Sequence, residues 1–145
     1  MADDGGIGRL RKRLAAIPKQ VQKATQPALM KQAEAMAASM RGLAPFESGD
    51  LRNSIEVTPG GAATPPYSQP GGSMTVGSNA VAITVGNADV RYGHLVEYGH
   101  GNGFNGSTVP PKPFFWPAVR LHQKKAKAAI KRAVGKAVRE NWGKP

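Results

Sequence analysis

The stretch LAPFESGDLRNSIEVT, residues 43–58, is where the periodicity of the chain changes, and its reading decides the fold class. Upstream of it, apolar residues recur every three or four positions. Within it, Leu51, Asn53, Ile55 and Val57 alternate with Arg52, Ser54, Glu56 and Thr58. The first spacing lines one face of a helix, and the second sends side chains to opposite faces of a strand. Between the two, Gly42 and Pro45 stop a helix, and Ser48-Gly49-Asp50 supplies turn chemistry. A helical half followed by strands, within 145 residues, predicts an α+β fold built as a single domain over 1–145.

Working back from this junction, Ile7, Leu10, Leu14, Ile17, Val21, Ala24 and Ala28 form an apolar stripe, with Arg9, Arg11, Lys12, Arg13, Lys19 and Lys23 off it. Pro18 and Pro27 each lack a donor and crowd the preceding turn. They predict one helix to about Ile17, a second from Pro18, and a kink or restart at Pro27. Leu29, Ala33, Met36, Ala37 and Met40 continue a narrow apolar face. Residues 1–6 read as a frayed start.

Working forward, 74–77 and 81–86 read as two short strands of a hairpin around Ser78-Asn79. Residues 59–72, dense in Gly and Pro and uncharged, read as a flexible loop with Tyr67 as its large side chain and candidate interface anchor. Residues 92–98 read as a helical turn running into a strand, and 100–112 as a second flexible loop. From 114 to 142, Phe115, Val119, His122, Ala126, Ala129, Ile130, Ala133, Val134, Ala137 and Val138 recur at helical spacing. Lys124, Lys125, Lys127, Lys131, Arg132, Lys136 and Arg139 fill much of the remainder. The elements read from the residues are thus N-terminal helices, short central strands and a long C-terminal basic helix.

Twenty Lys and Arg against nine Asp and Glu give a net charge of +11 and a pI near 10.4. The charge is segregated: net +5 over 1–42, −2 over 43–116 and +8 over 117–145. Segregation of this kind suggests separate surfaces with separate partners. The absence of cysteine excludes disulfide scaffolds, thiolate zinc sites and cysteine nucleophiles. The first thirty residues carry no apolar signal-type core, and no run approaches the ~20 apolar residues of a membrane span, so no membrane partner is expected.

Local chemistry points away from catalysis. The glycines of 99–106 lack the Gly-Lys-Ser/Thr ending of a phosphate loop. His94, His100 and His122, with Glu97, could bind a metal only by converging in space, since no pair has the spacing of a helical zinc site. No serine stands in a nucleophile elbow, and Glu47 and Asp50 flanking Ser48-Gly49 read as turn and cap chemistry. Asn105-Gly106-Ser107 matches a glycosylation acceptor without a secretion signal beside it. The expectation is therefore no enzyme, no cofactor and no metal. The basic terminal helix carries the sharper hypothesis of phosphate contacts, against a merely solvated face. Whether its partner is DNA or an acidic protein stays open, and nothing resembles a base-reading module.

Three landmarks in order resemble a known family. The segment from Leu43 to Ile55 resembles the A-P-x-x-T/S-G-x-L-R-x-S-I signature of tail-completion, or minor tail, proteins of long-tailed phages and phage-like particles. Tyr92-Gly-His-Leu-Val-Glu-Tyr-Gly99 with Pro111-Lys-Pro-Phe-Phe-Trp-Pro-Ala118 is similar to its Y-A-x-x-V-E-F/Y-G and x-P-F-h-x-P-A pair, and Leu14-x-x-Ile-Pro18 to an early leucine–proline step. The resemblance implies helices packed on an antiparallel sheet. It also implies a non-enzymatic homo-oligomeric ring, hexameric in the family, at the head–tail joint. The implied partners are the connector and the tail tube or terminator proteins, with possible non-specific contact to DNA passing the channel. The implied location is the virion neck or tail top, after assembly in the host cytoplasm. Its motif residues carry structural roles: Pro45 ends a helix, Gly49 turns the chain, Leu51 anchors the strand start, and Arg52 is a candidate partner for Glu97. Gly99 ends the second motif, Pro113 fixes an extended approach, Phe114 and Phe115 seal the core, and Pro117 opens the last helix. The departures are the insertion at 59–72 and Gly93, where alanine is common. A free, non-specific DNA-binding protein is the alternative, and a three-histidine metal hydrolase a third reading.

Overall fold

In the computed structural model, residues 7–101 and 108–141 are described. The expected frayed start, the middle of the 100–112 loop and the glycosylation match lie outside the described residues. The chain orders as helix α1 (Ile7–Leu43), a short helix α2 (Asp50–Asn53), strand β1 (Glu56–Thr58), strand β2 (Ala82–Thr84), helix α3 (Gly93–Tyr98) and helix α4 (Phe115–Asn141). This is an α+β arrangement with a small antiparallel sheet, as the sequence predicts. At ~1.5 Å per residue, α1 and α4 are roughly 55 and 40 Å long, and they pack on each other more extensively than any other pair of elements. Small residues make that contact close: Ala33 and Ala37 of α1 and Ala118, Ala126 and Ala137 of α4 are all buried.

The predicted breaks at Pro18 and Pro27 do not occur, and α1 runs through both. A mid-helix proline costs ~3 kcal/mol locally, but helical stability in a protein comes mostly from packing of one face. Pro27 lies on the exposed side. Its neighbour Gln26 pins the helix to the following half of the chain, donating to the carbonyls of Ser78 at 2.8 Å and Ala80 at 3.2 Å.

The predicted strand from Leu51 is corrected as well. Residues 50–53 form α2, and pairing begins only at Glu56. A four-residue step from Leu51 to Ile55 buries both, at 5% and 2% exposure, while Asn53, which a strand would bury beside them, is exposed. One helical turn satisfies the apolar pair as well as a strand does, and Ser54 closes it by donating from its amide to the Asp50 carbonyl at 3.0 Å.

Strand β2 pairs with β1 in antiparallel register, Glu56 opposite Thr84, Val57 opposite Ile83 and Thr58 opposite Ala82. The predicted hairpin of 74–77 with 81–86 is absent. Residues 74–76 pair instead with the Gly/Pro-rich stretch: Gly61 donates to Val76 at 2.8 Å, Val76 to Ala62 at 2.9 Å and Thr64 to Met74 at 2.8 Å. The same stretch reaches β2 through reciprocal amide–carbonyl bonds between Gln69 and Val85, at 2.8 and 3.0 Å. Thr64 and Ser68 are buried within it, while Tyr67 is exposed. Tyr67 takes a left-handed φ of 59°, and the Arg91 guanidinium lies 3.8 Å from its ring centroid.

The main core joins α1 (Ala37, Met40) and Ala44 to Leu51, Ile55, Val85, Val90, Phe114 and Ala118. Opposite the Val57–Ile83 pair, the sheet carries buried Thr58 and Thr84, whose hydroxyls have no hydrogen-bond partner. Burying an unpaired hydroxyl costs ~1–3 kcal/mol. Thr84→Val, which keeps the shape and removes the hydroxyl, is therefore expected to stabilise the fold by ~1 kcal/mol. A rise in urea midpoint at unchanged slope would show it, and a fall would place an unseen partner at Thr84.

Candidate assembly surfaces

Glu97 and the Phe114–Pro117 segment meet at the start of α4. The last helix begins with four backbone positions that have no intrahelical acceptor. Here Glu97, at the end of α3 and 6% exposed, takes them. Its Oε2 accepts the amides of Phe114 at 2.7 Å and Phe115 at 2.9 Å, and its Oε1 accepts that of Trp116 at 3.1 Å. The next residue, Pro117, has no N–H to satisfy. A carboxylate at a helix N-terminus also meets the positive end of the helix dipole. The predicted Arg52–Glu97 pair is thus corrected: Glu97 serves backbone donors. Arg52 donates from Nε to the Ala44 carbonyl at 3.0 Å and lies over the Phe46 ring, 4.9 Å from its centroid.

Two glycines let α3 sit where Glu97 can reach. A Cβ on Gly93 would fall 2.8 Å from Val85 Cγ1, so the helix approaches β2 more closely than alanine permits. Gly99 turns the chain out of α3 at φ 71°, where a Cβ would meet the Val109 carbonyl at 2.7 Å. Beyond it, His100 and Val109 pair through two backbone bonds at 3.1 and 2.7 Å, and Lys112 donates to the Val96 carbonyl at 2.8 Å.

The surface carries two features of opposite character. The first is a groove of about 240 Å³ where the α1–α2 junction meets α3 and the 109–112 segment, lined by Pro45, Leu51, Tyr92, Leu95 and Val109 among others. Phe46, Tyr92, Leu95 and Val109 are exposed on or beside it, and exposed Glu47 and Asp50 stand at that junction. The second is the outward face of α4. All eight of its basic side chains are exposed, and among the described residues only Lys136 has an acid partner, Glu140 at 3.8 Å. Leu121, 72% exposed, begins a spine with Ala128 and Gly135 at seven-residue steps. Lys124 and Lys131 stand on one side of this spine, Lys125 and Arg132 on the other.

The remaining candidates fall in separate places. Phe114 is fully buried at 1% exposure, Phe115 half-buried, and Trp116 exposed at 43%. Phe115 and Trp116 meet edge to face at 5.1 Å, and Trp116 Nε1 donates to the Tyr98 hydroxyl at 2.6 Å. Pro113 is exposed, Pro45 lines the groove, and Gly49 is buried beside α2. The three histidines do not converge: His94 and His100 are exposed, and His122 shares a 2.6 Å hydrogen bond with Ser39 between α1 and α4. Among the described residues no group of three or more His, Asp or Glu is placed to hold a metal, and no helix is long and apolar enough to cross a membrane. Periodicity does not reveal the groove, because its lining comes from three separate segments.

No curated protein and no solved structure matches this chain. A family model does, over residues 8–99, from α1 through the last residue of the Glu97 motif. The chain belongs to the HK97-gp10-like family of bacteriophage tail components.

Proposed function

We propose that this tail component is a structural, non-enzymatic ring-forming protein of the head–tail joint, and that the outward face of α4 lies toward the DNA that passes the joint. The observation that supports the DNA-facing role is the uncompensated charge of α4, eight exposed bases with one internal ion pair. Such a face attracts phosphates without reading bases. The ring, its hexameric copy number and its connector and tail-tube or terminator neighbours rest on the family resemblance of the 43–55 and 92–118 motifs.

The test is reversal of Lys131, Arg132 and Arg139 to Glu. The expected result is particles whose heads and tails fail to join, from a protein that still folds. Normally infectious particles would mean that the face is merely solvated. Binding of the isolated wild-type chain to unrelated duplexes should be weak. It should also fall with salt, each neutralised phosphate adding ~0.9 to the slope of log affinity against log salt. Tight binding that survives physiological salt would favour the free DNA-binding alternative.

A further inference from the structure

We infer that the groove between the α1–α2 junction and α3 receives the N-terminal half of α4 from a second copy of the same chain, with Leu121 as the inserted side chain and Lys124 and Lys125 facing Glu47 and Asp50. This rests on the ring reading above and names the surfaces that would build it.

The groove is too small for a dedicated small-molecule site. Its 240 Å³ lies below the ~300–1,000 Å³ of ligand pockets, but it suits one or two apolar side chains. Its surroundings, Phe46, Tyr92, Leu95 and Val109, expose more large apolar side chains in one place than solvent contact explains. Leu121 is the most exposed large apolar side chain of the described chain, and it stands on a rigid helix between basic flanks. An apolar knob serves no purpose against phosphates, which take only the charges. It does serve a contact with protein.

Charge selects the occupant. The groove's neighbours Glu47 and Asp50 have no basic partner among the described ion pairs, while Lys124 and Lys125 are exposed and likewise unpaired. The central segment of the chain is net negative and the terminal one strongly positive, so a copy supplies what its neighbour lacks. No residue of α4 lines the groove, so knob and groove are different surfaces of one molecule. A contact between different surfaces is heterologous, and repetition closes it into a ring if the rotation permits. Two acids can answer only part of the basic face. Lys131, Arg132 and Arg139, farther along α4, stay free for the DNA-facing role.

The absence of native cysteine makes the test direct. Leu95→Cys in the groove and Leu121→Cys on α4 are both exposed substitutions. The double variant, oxidised at rising concentration and again within assembled tails, should give a ladder of cross-linked species. A mixture of the two single variants should stop at dimers, and each single variant alone should give none. Charge reversal of Glu47 and Asp50 to Lys should weaken self-association roughly tenfold or more, and Lys124→Glu with Lys125→Glu should restore it. Homodimers from a single variant, or no ladder in either setting, would overturn this interface. If the wild-type chain still sediments as a closed oligomer in that case, the ring reading stands and only these surfaces are wrong. If it does not self-associate in either setting, both fail.

Discussion

Glu97→Ala should lower the stability of the chain by ~3–5 kcal/mol, a large share of the ~5–15 kcal/mol that holds a typical domain. Three backbone amides lose their acceptor at once. Hydrogen bonds to a charged acceptor contribute ~1.5–3 kcal/mol each, and water cannot replace all three where the carboxylate is 6% exposed. Part of the loss is recovered by fraying the first turn of α4, which keeps the figure below the simple total. Glu97→Gln separates the components. It retains one acceptor oxygen but turns an NH₂ toward donors and forfeits the dipole interaction, so it should fall between wild type and alanine. Arg52→Ala should not couple to either variant, because the guanidinium bonds the Ala44 carbonyl. Urea unfolding of the three single variants and the Arg52/Glu97 double measures this. Non-additivity beyond ~0.5 kcal/mol for that pair would revive the ion pair the sequence suggested.

The error over Glu97 shows what a sequence exposes and what it hides. An isolated acid in an apolar segment invites pairing with the nearest unassigned cation. The acceptor-poor start of α4, with Pro117 removing one further donor, was visible in the residues but belongs to a segment some twenty positions away. Long amphipathic elements were legible because their period repeats many times: α4 begins and ends within a residue or so of its expected bounds. The prolines of α1 misled, because local cost is readable from one residue whereas the packing that outweighs it depends on α4. The strand from Leu51 misled for a different reason. Over five residues, Leu51 and Ile55 fit a period of two and a helical turn equally well. Periodicity does not resolve the Gly/Pro-rich insertion, since most of its bonds to 74–76 and Val85 run through the backbone, the Thr64 hydroxyl on Met74 being the exception, and carry no repeating side-chain pattern. The groove shares that limit, being built from three short segments. The basic face of α4 was readable as composition, and only its exposure and lack of partners are added by the structure.

Phe114→Ala should produce the other large loss, ~3–5 kcal/mol as for aromatic truncations in well-packed cores. The two adjacent phenylalanines look equivalent in sequence. Their positions before and within the first turn of α4 separate them: Phe114 is 1% exposed and is the largest fully buried side chain, whereas Phe115 is half-buried against Trp116. Phe114 belongs to a cluster that joins Ala37, Ala44 and Ala118 to the larger Met40, Leu51, Ile55, Val85 and Val90. The alanines cannot rotate into a vacated volume, whereas Met40 and Leu51 can do so in part, so the cost should lie within that range. Phe115→Ala should cost less, roughly 1–3 kcal/mol by the apolar area it leaves exposed. Phe114→Leu should recover a substantial part of the alanine loss, as expected where volume rather than aromatic geometry dominates. Phe114 also donates its amide to Glu97, so the side chain that fills the core and the carboxylate that caps the helix fix the same residue. A Phe114→Ala, Glu97→Ala double variant should therefore lose less than the two singles combined, because either change alone already releases the start of α4. Equal losses for Phe114→Ala and Phe115→Ala, or strict additivity in the double variant, would contradict this account.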